Sequence, residues 1–227
     1  MRMTSPASTP RGPLRRDAER NRERIVAAAR ELFADQGLGV GFNEIARHAG
    51  VGVGTVYRRF ADKHELLETA FAEPLRDVLA VADEASRAEP AWDGLVQLLT
   101  RVTELLVENI GLRDLALGGY DDLGPVVDDS IGRITDELLQ RARAEGDLRA
   151  DARGSDVLVL LWLVTELATH TVDVQPEAYR RYLHLLLEGL RARPADAALE
   201  PPLTDAQALE VSRRWADHSS RARPRTT

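Results

Sequence analysis

The sequence predicts an all-α protein of about nine helices, with a small N-terminal helix-turn-helix domain and a larger helical C-terminal domain. Apolar residues recur every three or four positions in successive segments, which is the period of a helix with one buried face. No segment shows the two-residue alternation of a half-buried strand. Sixteen glycines and 11 prolines supply helix ends and turns between the apolar segments.

The chain begins with a basic arm and a first helix. Residues 1–16 combine proline, serine and threonine with four arginines, a composition that buries too little apolar surface to fold, so the arm is predicted to be disordered. Ile25, Ala29 and Phe33 then lie on one face of a helix that Gly37 ends.

Two shorter helices and the start of a fourth follow. The second covers residues 42–49 and ends at Gly50, and the third covers residues 52–60. Asp62 and Glu65 stand three apart before a leucine pair, which is the capping-box pattern of a helix start.

The C-terminal domain is predicted from apolar stripes and from the residues between them. Pro74 interrupts or kinks the fourth helix. Pro125 fits the first turn of a helix that Gly146 ends, Ser155 caps a strongly apolar helix, and Pro176 opens the last long helix. The stripes are Trp92, Leu95, Leu99, Val102 and Leu106; residues 112–117; Ile131, Ile134, Leu138 and Ala142; and Tyr179, Tyr182, Leu183, Leu186 and Leu190.

These elements predict four regions along the chain. They are a disordered basic arm over 1–16, a tri-helical domain over 17–61, a helical domain over 62–193 and a mostly flexible tail over 194–227. A short helix fits residues 203–215 of the tail.

Charge is unevenly distributed along the chain. Residues 1–60 hold 11 arginines and six acidic residues, a formal charge of +5, whereas the remaining 167 residues hold 19 basic and 31 acidic residues, a charge of −12. A basic head on an acidic remainder suggests a nucleic-acid-binding domain joined to a domain with another role.

Several classes of protein are disfavoured. The absence of cysteine excludes a disulfide scaffold, a thiolate metal site and a cysteine nucleophile. The five histidines have no metal-ligand spacing and no Gly-x-Ser-x-Gly elbow occurs, so neither an enzyme nor a metal or cofactor site is expected. The longest apolar run, residues 157–164, is too short to cross a membrane by about ten residues, and no signal peptide is apparent, so the expected location is cytoplasmic.

The three N-terminal helices fit a helix-turn-helix, whose third helix enters the major groove of DNA. The basic arm before them then has two interpretations, a solvated tail or a segment that lies in the minor groove. Glycines allow the backbone to approach phosphates, hydroxyl groups donate to phosphate oxygens, and arginine reads guanine or pairs with phosphate. A nucleotide-binding loop does not fit the same glycines, because no strand precedes them and the third comes one residue early. The predicted contacts in this helix are Gly52, Gly54, Thr55, Tyr57, Arg58 and Arg59.

The stretch from Phe42 to Leu67 resembles the DNA-binding signature of tetracycline-repressor-type (TetR/AcrR) transcriptional regulators. The matching elements are ELFADQG, EIARHAGV, GTVYRRF and a DK pair before a leucine-rich helix. The detailed resemblance covers about residues 17–71, and only the helical layout agrees beyond them.

The resemblance implies roles for individual residues. Lys63, the only lysine among 30 basic residues, stands where the family has a phosphate-binding lysine at the start of the fourth helix. Gly41 departs from the family, which has serine or threonine as the cap of the second helix. The further implied roles are DNA contact for Thr55, Tyr57 and Arg59, base reading for Asn43 and sequence preference for Val53.

The resemblance also implies a homodimer. In the family the last two helices of each subunit pair into a four-helix bundle, which places two recognition helices roughly 34–36 Å apart on a near-palindromic operator. The predicted interface residues are Leu160, Val164, Tyr179, Leu183, Leu186 and Leu190.

An effector site is expected in the C-terminal domain. Trp162, Glu166 and His170 share one helix face, and a carboxylate there needs a partner. Two interpretations remain open: Glu166 bonds another helix or subunit through Arg180 or Arg181, or it lines a pocket. The resemblance implies a small, largely apolar effector, and the candidate lining is Phe71, Trp92, Leu99, Val102, Tyr120, Ile134, Trp162, Glu166 and His170.

The predicted function is a sequence-specific DNA-binding transcriptional regulator, most simply a repressor that its effector releases from the operator. Activators also occur in the family. The alternative from another class is a helical protein-interaction adaptor without DNA specificity, which would not require the GTVYRRF segment followed by Lys63.

Overall fold

The computed structural model describes residues 13–118, 124–194, 197–204, 206–208 and 210–214. Within these ranges the chain is helical, with no strand beyond one isolated bridge between Leu148 and Arg191. This confirms the predicted all-α class. No helix in the described part is long and apolar enough to span a membrane. The helices are α1 (Pro13–Gln36), α2 (Phe42–Ala49), α3 (Val53–Arg59), α4 (Lys63–Ser86), α5 (Ala91–Glu108), α6 (Ile110–Gly118), α7 (Gly124–Glu145), α8 (Gly154–Thr171) and α9 (Ala178–Leu190), with a tenth, short helical segment within 206–214.

The helices group into two compact units. Unit 1 contains α1 up to Glu31 together with Gly41–Ala70, and unit 2 contains Leu32–Val40 and the chain from Phe71 onward. The division therefore falls inside α1 and α4, whereas we predicted a boundary between residues 61 and 62. Two long helices that belong to both units leave no linker for composition to reveal.

Unit 1 is a small helical core. The helix-turn-helix packs its apolar faces inward. The C-terminal end of α1 belongs to unit 2, where Gly37 takes a φ of +78° and its amide bonds the Phe33 carbonyl at 2.9 Å. The large side chains of unit 1 that are fully buried are Ile25, Ile45, Val56, Phe60, Leu66 and Leu67.

Unit 2 is built around α5, which packs against α6, α7, α8 and α9. Its buried stripe contains Trp92, Leu95, Leu98, Leu99 and Leu106. Gly94 allows α5 to lie close to the end of α4, because a Cβ there would stand 2.4 Å from the Ala85 carbonyl oxygen.

Two predicted helix signals act differently in the structure. Pro74 lies inside α4, which continues through it to Ser86. Ser155 is not the cap of α8: it is buried in the first turn, and the helix begins after Arg153, whose amide donates to the Asp156 carboxylate at 2.8 Å. A carboxylate at the third helical position serves here in place of a hydroxyl cap.

The ends of the chain also differ from prediction. Residues 1–12 lie outside the described part, and α1 begins at Pro13, within the predicted arm. The tail predicted to be mostly flexible contains ordered contacts, since Ala208 and Ser212 are buried and the Ser212 hydroxyl donates to the Leu117 carbonyl. Small residues four positions apart form this packing face, which a search for large apolar stripes overlooks.

Candidate nucleic-acid interface

The turn between α2 and α3 is a left-handed glycine turn. Gly50 has a φ of +63°, its amide bonds the Arg47 carbonyl at 3.2 Å, and the Val51 amide bonds the Ala46 carbonyl at 3.0 Å. This pattern ends α2 abruptly and starts α3 three residues later, as the helix-turn-helix requires.

The third helix presents nearly all of its surface to solvent. Of its seven residues, all of which the structure describes, only Val56 is buried. Tyr57 is 62% exposed and Val53 is 39% exposed, while Thr55 is half-buried. Gly52, Gly54, Arg58 and Arg59 are also exposed, as is Asn43 on α2. The structure thus places the predicted contact residues of α2 and α3 at the surface of unit 1.

Two of these side chains have partners that orient them. The Tyr57 ring meets the Phe42 ring edge-on with 5.0 Å between centroids, so its position is fixed by packing. The Arg58 guanidinium donates to the Thr55 hydroxyl at 3.2 Å. Arg58 and Thr55 therefore form one polar group on the exposed face.

The fold does not require the glycine at position 54. A Cβ on Gly54 would meet no described atom within 4 Å, and its φ lies outside the left-handed region. Glycine inside a helix costs about 1 kcal/mol relative to alanine. Gly54 therefore costs stability without a packing benefit, which favours a role in letting another molecule approach the backbone closely. For a helix-turn-helix, that molecule is expected to be the phosphate backbone of DNA.

Lys63 is the first residue of α4, beside a helix cap. The Asp62 carboxylate accepts from the Glu65 amide at 2.9 Å, and the Glu65 carboxylate accepts from the Ala61 amide at 2.8 Å, which confirms the predicted helix start. The Lys63 side chain is half-buried, and burial lowers its pKa because desolvation disfavours the charged ammonium. A phosphate at this position would offset that cost.

The candidate effector residues are mostly core. Phe71, Trp92, Leu99, Val102 and Trp162 are each at most 7% exposed, whereas Ile134 is half-buried. The Arg191 guanidinium lies over the Trp92 ring at 4.6 Å, so this ring packs against a cation of the same unit. Tyr120 lies outside the described residues.

Two polar residues of α8, Glu166 and His170, contact each other. The His170 side chain is 72% exposed, and its assignment to an effector pocket stays a prediction. Its ring nitrogen lies 3.0 Å from the Glu166 carboxylate on the same helix. Arg180, one of the partners we considered for Glu166, pairs instead with Glu177 and Glu104.

The predicted dimer residues differ in their exposure within one chain. Leu160, Val164, Tyr179 and Leu183 are at most 5% exposed within one chain, because they fill the α5–α8–α9 core. Leu186 is 37% exposed and Leu190 is half-buried. The large apolar side chains exposed on the two helices, apart from Leu186, are Leu163, Tyr182 and Leu185, none of which is among the predicted interface residues.

A shallow depression opens between α5 and α9. Its walls are Val96, Thr100, Tyr179, Arg180, Leu183, His184 and Leu187. In the described ranges no group of three or more histidine, aspartate or glutamate side chains is arranged to hold a metal ion.

Comparison with known proteins agrees with this architecture. Residues 25–70 match the family model of bacterial regulatory proteins of the tetR family, and residues 89–192 match the C-terminal domain of SbtR-like transcriptional regulators. An HTH-type transcriptional regulator of Staphylococcus aureus is 44% identical over 54 residues, which are 23% of this chain and 29% of that protein. The matched segment thus spans less than a third of the length of that relative.

Solved structures extend the likeness to both units. A TetR transcriptional regulator from Streptomyces coelicolor is 27% identical with a TM-score of 0.51, over 75% of this chain and 98% of that one. A gamma-butyrolactone receptor shares the fold with a TM-score of 0.57 at 22% identity, over 91% of this chain and 100% of that one. With a helix-turn-helix in unit 1 and a matching helical C-terminal domain, the chain belongs to the tetR family of bacterial regulatory proteins.

Proposed function

We propose that this protein is a non-enzymatic transcriptional regulator that binds a near-palindromic operator as a homodimer and is released by a small effector. The observation that carries the proposal is the exposed α3, which combines a glycine without a packing role, an oriented phenol and adjacent arginines on one short helix. Such a protein acts beside the bacterial chromosome, in the cytoplasm.

The division of labour within the interface follows from the chemistry of each group. Arg59 and the Arg58–Thr55 pair supply donors for guanine edges or phosphates, and the exposed Val53 offers an apolar contact for a thymine methyl group. Lys63 supplies a phosphate contact at the start of α4, where the helix dipole also attracts an anion. Asn43, exposed on α2, adds an amide able to read adenine.

Dimerisation is proposed through the outer faces of α8 and α9. Leu163 and Leu185 are each about half exposed, at 49% and 52%, and Tyr182 is 47% exposed. Exposed large apolar side chains on two helices that pack together are typical of a surface that a partner covers. Two-fold symmetry would then space the recognition helices about one turn of DNA, roughly 34–36 Å.

The effector is proposed to bind within unit 2 and to be small and largely apolar. One fold relative is a gamma-butyrolactone receptor, that is, a protein of this fold named for a small ligand. Because α4 belongs to both units, a shift of its unit 2 part can be transmitted along the same helix to Lys63. A coupling of about 1–3 kcal/mol would change operator affinity 5- to 150-fold.

The test is binding of the purified protein to labelled DNA from the region upstream of its own gene, with a random duplex as control. Tyr57→Phe removes the hydroxyl and keeps the ring packed on Phe42, so affinity should fall by about 0.5–1.5 kcal/mol, the value of one hydrogen bond. Tyr57→Ala should weaken binding further at an unchanged fold. If the folded wild-type protein does not distinguish the two DNAs, the regulator proposal fails and the adaptor alternative stands.

A further inference from the structure

Two arginines of α1 contact the segments that flank α3, one in the turn before it and one at the residue after it. The Arg24 Nη2 donates to the Ala49 carbonyl at 2.6 Å and to the Gly50 carbonyl at 3.3 Å, in the turn that precedes α3. The Arg22 guanidinium lies over the Phe60 ring at 4.9 Å, immediately after α3. Neither residue is part of the predicted contact set, and both lie in unit 1 with the helices that they touch.

The Arg24 contact fits the electrostatics of the turn. The last carbonyls of a helix have no partner within the helix and carry the negative end of its dipole, so a guanidinium is a well-matched donor there. Gly50 makes room for it, because a Cβ on this residue would stand 2.8 Å from the Arg24 Nη2. Glycine is therefore required at position 50 for two reasons. Its φ of +63° is strained for other residues, and the absence of a side chain leaves space for the Arg24 guanidinium.

The Arg22 contact connects the other end of α3 to α4. Besides the Phe60 ring, its guanidinium donates to the Thr69 hydroxyl at 3.3 Å and lies 4.0 Å from the Glu65 carboxylate. Phe60 is fully buried and its amide closes α3 by bonding the Val56 carbonyl at 3.0 Å. Arg22 thus holds the residue at which α3 stops.

The need for such contacts follows from the shape of α3. A helix of seven residues with one buried side chain, Val56, has little packing of its own to set its tilt and rotation. Its direction then depends on how its two ends are held. Bidentate reading of a base edge requires that direction to be well defined.

We propose that Arg24 and Arg22 are positioning residues, which hold the turn before α3 and the residue after it and so determine sequence discrimination without touching a base. This rests on the proposed function, since discrimination has meaning only for a protein that reads DNA sequence. The proposal distinguishes these two arginines from Arg58 and Arg59, which lie on the exposed face of α3.

The test measures Arg24→Gln on operator and random duplexes across a salt series, far below the melting temperature of the variant. Operator affinity should fall roughly tenfold or more, the scale of one lost hydrogen bond from a charged group, while random-duplex affinity and salt slope stay unchanged. Arg22→Gln should have the same signature. Arg76 is an exposed arginine in the part of α4 that belongs to unit 2, so Arg76→Gln is the matched charge control. It should change neither the operator-to-random affinity ratio nor the salt slope.

Other outcomes would overturn the proposal. A salt slope lower by about one, with both affinities falling in parallel, would show that Arg24 contacts phosphate directly. A lower melting temperature with an unchanged operator-to-random ratio would show a purely structural role. Failure of the wild-type protein to prefer its operator would overturn the proposed function as well, whereas a specific wild type with an equally specific Arg24→Gln would overturn only this inference.

A second variant tests the same contact from the other side. Gly50→Ala places a methyl group against the guanidinium and strains the backbone, so it should lower the operator-to-random ratio as Arg24→Gln does. Gly41→Ala is its matched control, since a Cβ at Gly41 meets no described atom within 4 Å and its φ is −102°. A reduced ratio in Gly41→Ala alone would contradict the proposal.

Discussion

The neighbouring leucines Leu183 and Leu185 of α9 should separate folding from dimerisation. Leu183 is 3% exposed and belongs to the core of unit 2, whereas Leu185 is 52% exposed. Truncation to alanine keeps helix propensity at both positions, so the difference between the variants reports burial alone. The two residues are two positions apart, on different faces of one helix.

The magnitudes follow from these exposures. Leu183→Ala should destabilise the protein by about 2–5 kcal/mol, the range for a buried leucine. Leu185 has about half a side chain left to bury, worth about 1 kcal/mol of the 1.5–3 kcal/mol for full burial. Because two-fold symmetry repeats the change, dimerisation should weaken by about 2 kcal/mol, or roughly 30-fold in Kd.

Sedimentation equilibrium gives the dimer Kd and thermal unfolding gives the stability. For Leu185→Ala we expect the weaker dimer Kd and an unchanged stability of the monomer. Unfolding is measured on the dissociated protein, because dimerisation itself raises Tm. For Leu183→Ala we expect a Tm lower by roughly 5–15 °C. A Leu185→Ala dimer as tight as wild type would refute the proposed interface. A Leu183→Ala variant that dissociates at full stability would show that the interface lies on the face we have assigned to the core.

Three further changes test other parts of the structure. Gly54→Ala should stabilise the fold by about 0.4–1 kcal/mol and yet weaken operator binding; tighter binding in the same titration would contradict a close backbone approach. Lys63 has a lowered pKa, so wild-type operator affinity should fall toward alkaline pH more steeply than that of Lys63→Arg, which stays charged; parallel profiles would argue against a phosphate contact. Arg149 and the Leu199 amide hold the pKa of Asp151 well below its usual range, so the contribution of this carboxylate to stability is present above its ordinary pKa and is lost only as the solution becomes strongly acidic. Asp151→Asn should remove that contribution at neutral pH and speed amide exchange around Leu199, whereas unchanged exchange would show that the tail is held elsewhere.

The N-terminal unit was largely predictable because its signals are local. Gly41 and Gly50 bound α2 at the predicted residues 42–49, and Asp62 with Glu65 marks the start of α4. A left-handed glycine and a helix cap each depend on a few adjacent residues, so the spacing of residues in the sequence is enough to predict them. Arg24 escaped prediction because its acceptors lie 25 and 26 positions along the chain.

The C-terminal unit was less predictable because its helices are apolar on more than one side. In α8 the run from residue 157 to 164 offers no polar face that would mark the outside, so Leu160 and Leu163 look alike in sequence. The structure buries the first and exposes the second, since only packing against α5 and α9 decides between them. Counting apolar residues predicted an interface on these helices, but the choice of face needs tertiary structure.

The charge asymmetry constrains how such a protein approaches DNA. Residues 1–60 carry +5 and the rest of the chain −12, so the part of the sequence that contains α3 has a net attraction to phosphate and the remainder as a whole does not. This difference favours encounters in which α3 faces the groove. Both forces are screened over about 8 Å at physiological salt, so they act at the last step of docking. The same argument explains how a protein with a net charge of −7 binds a polyanion: the local charge at the interface, not the total, determines the sign of the interaction.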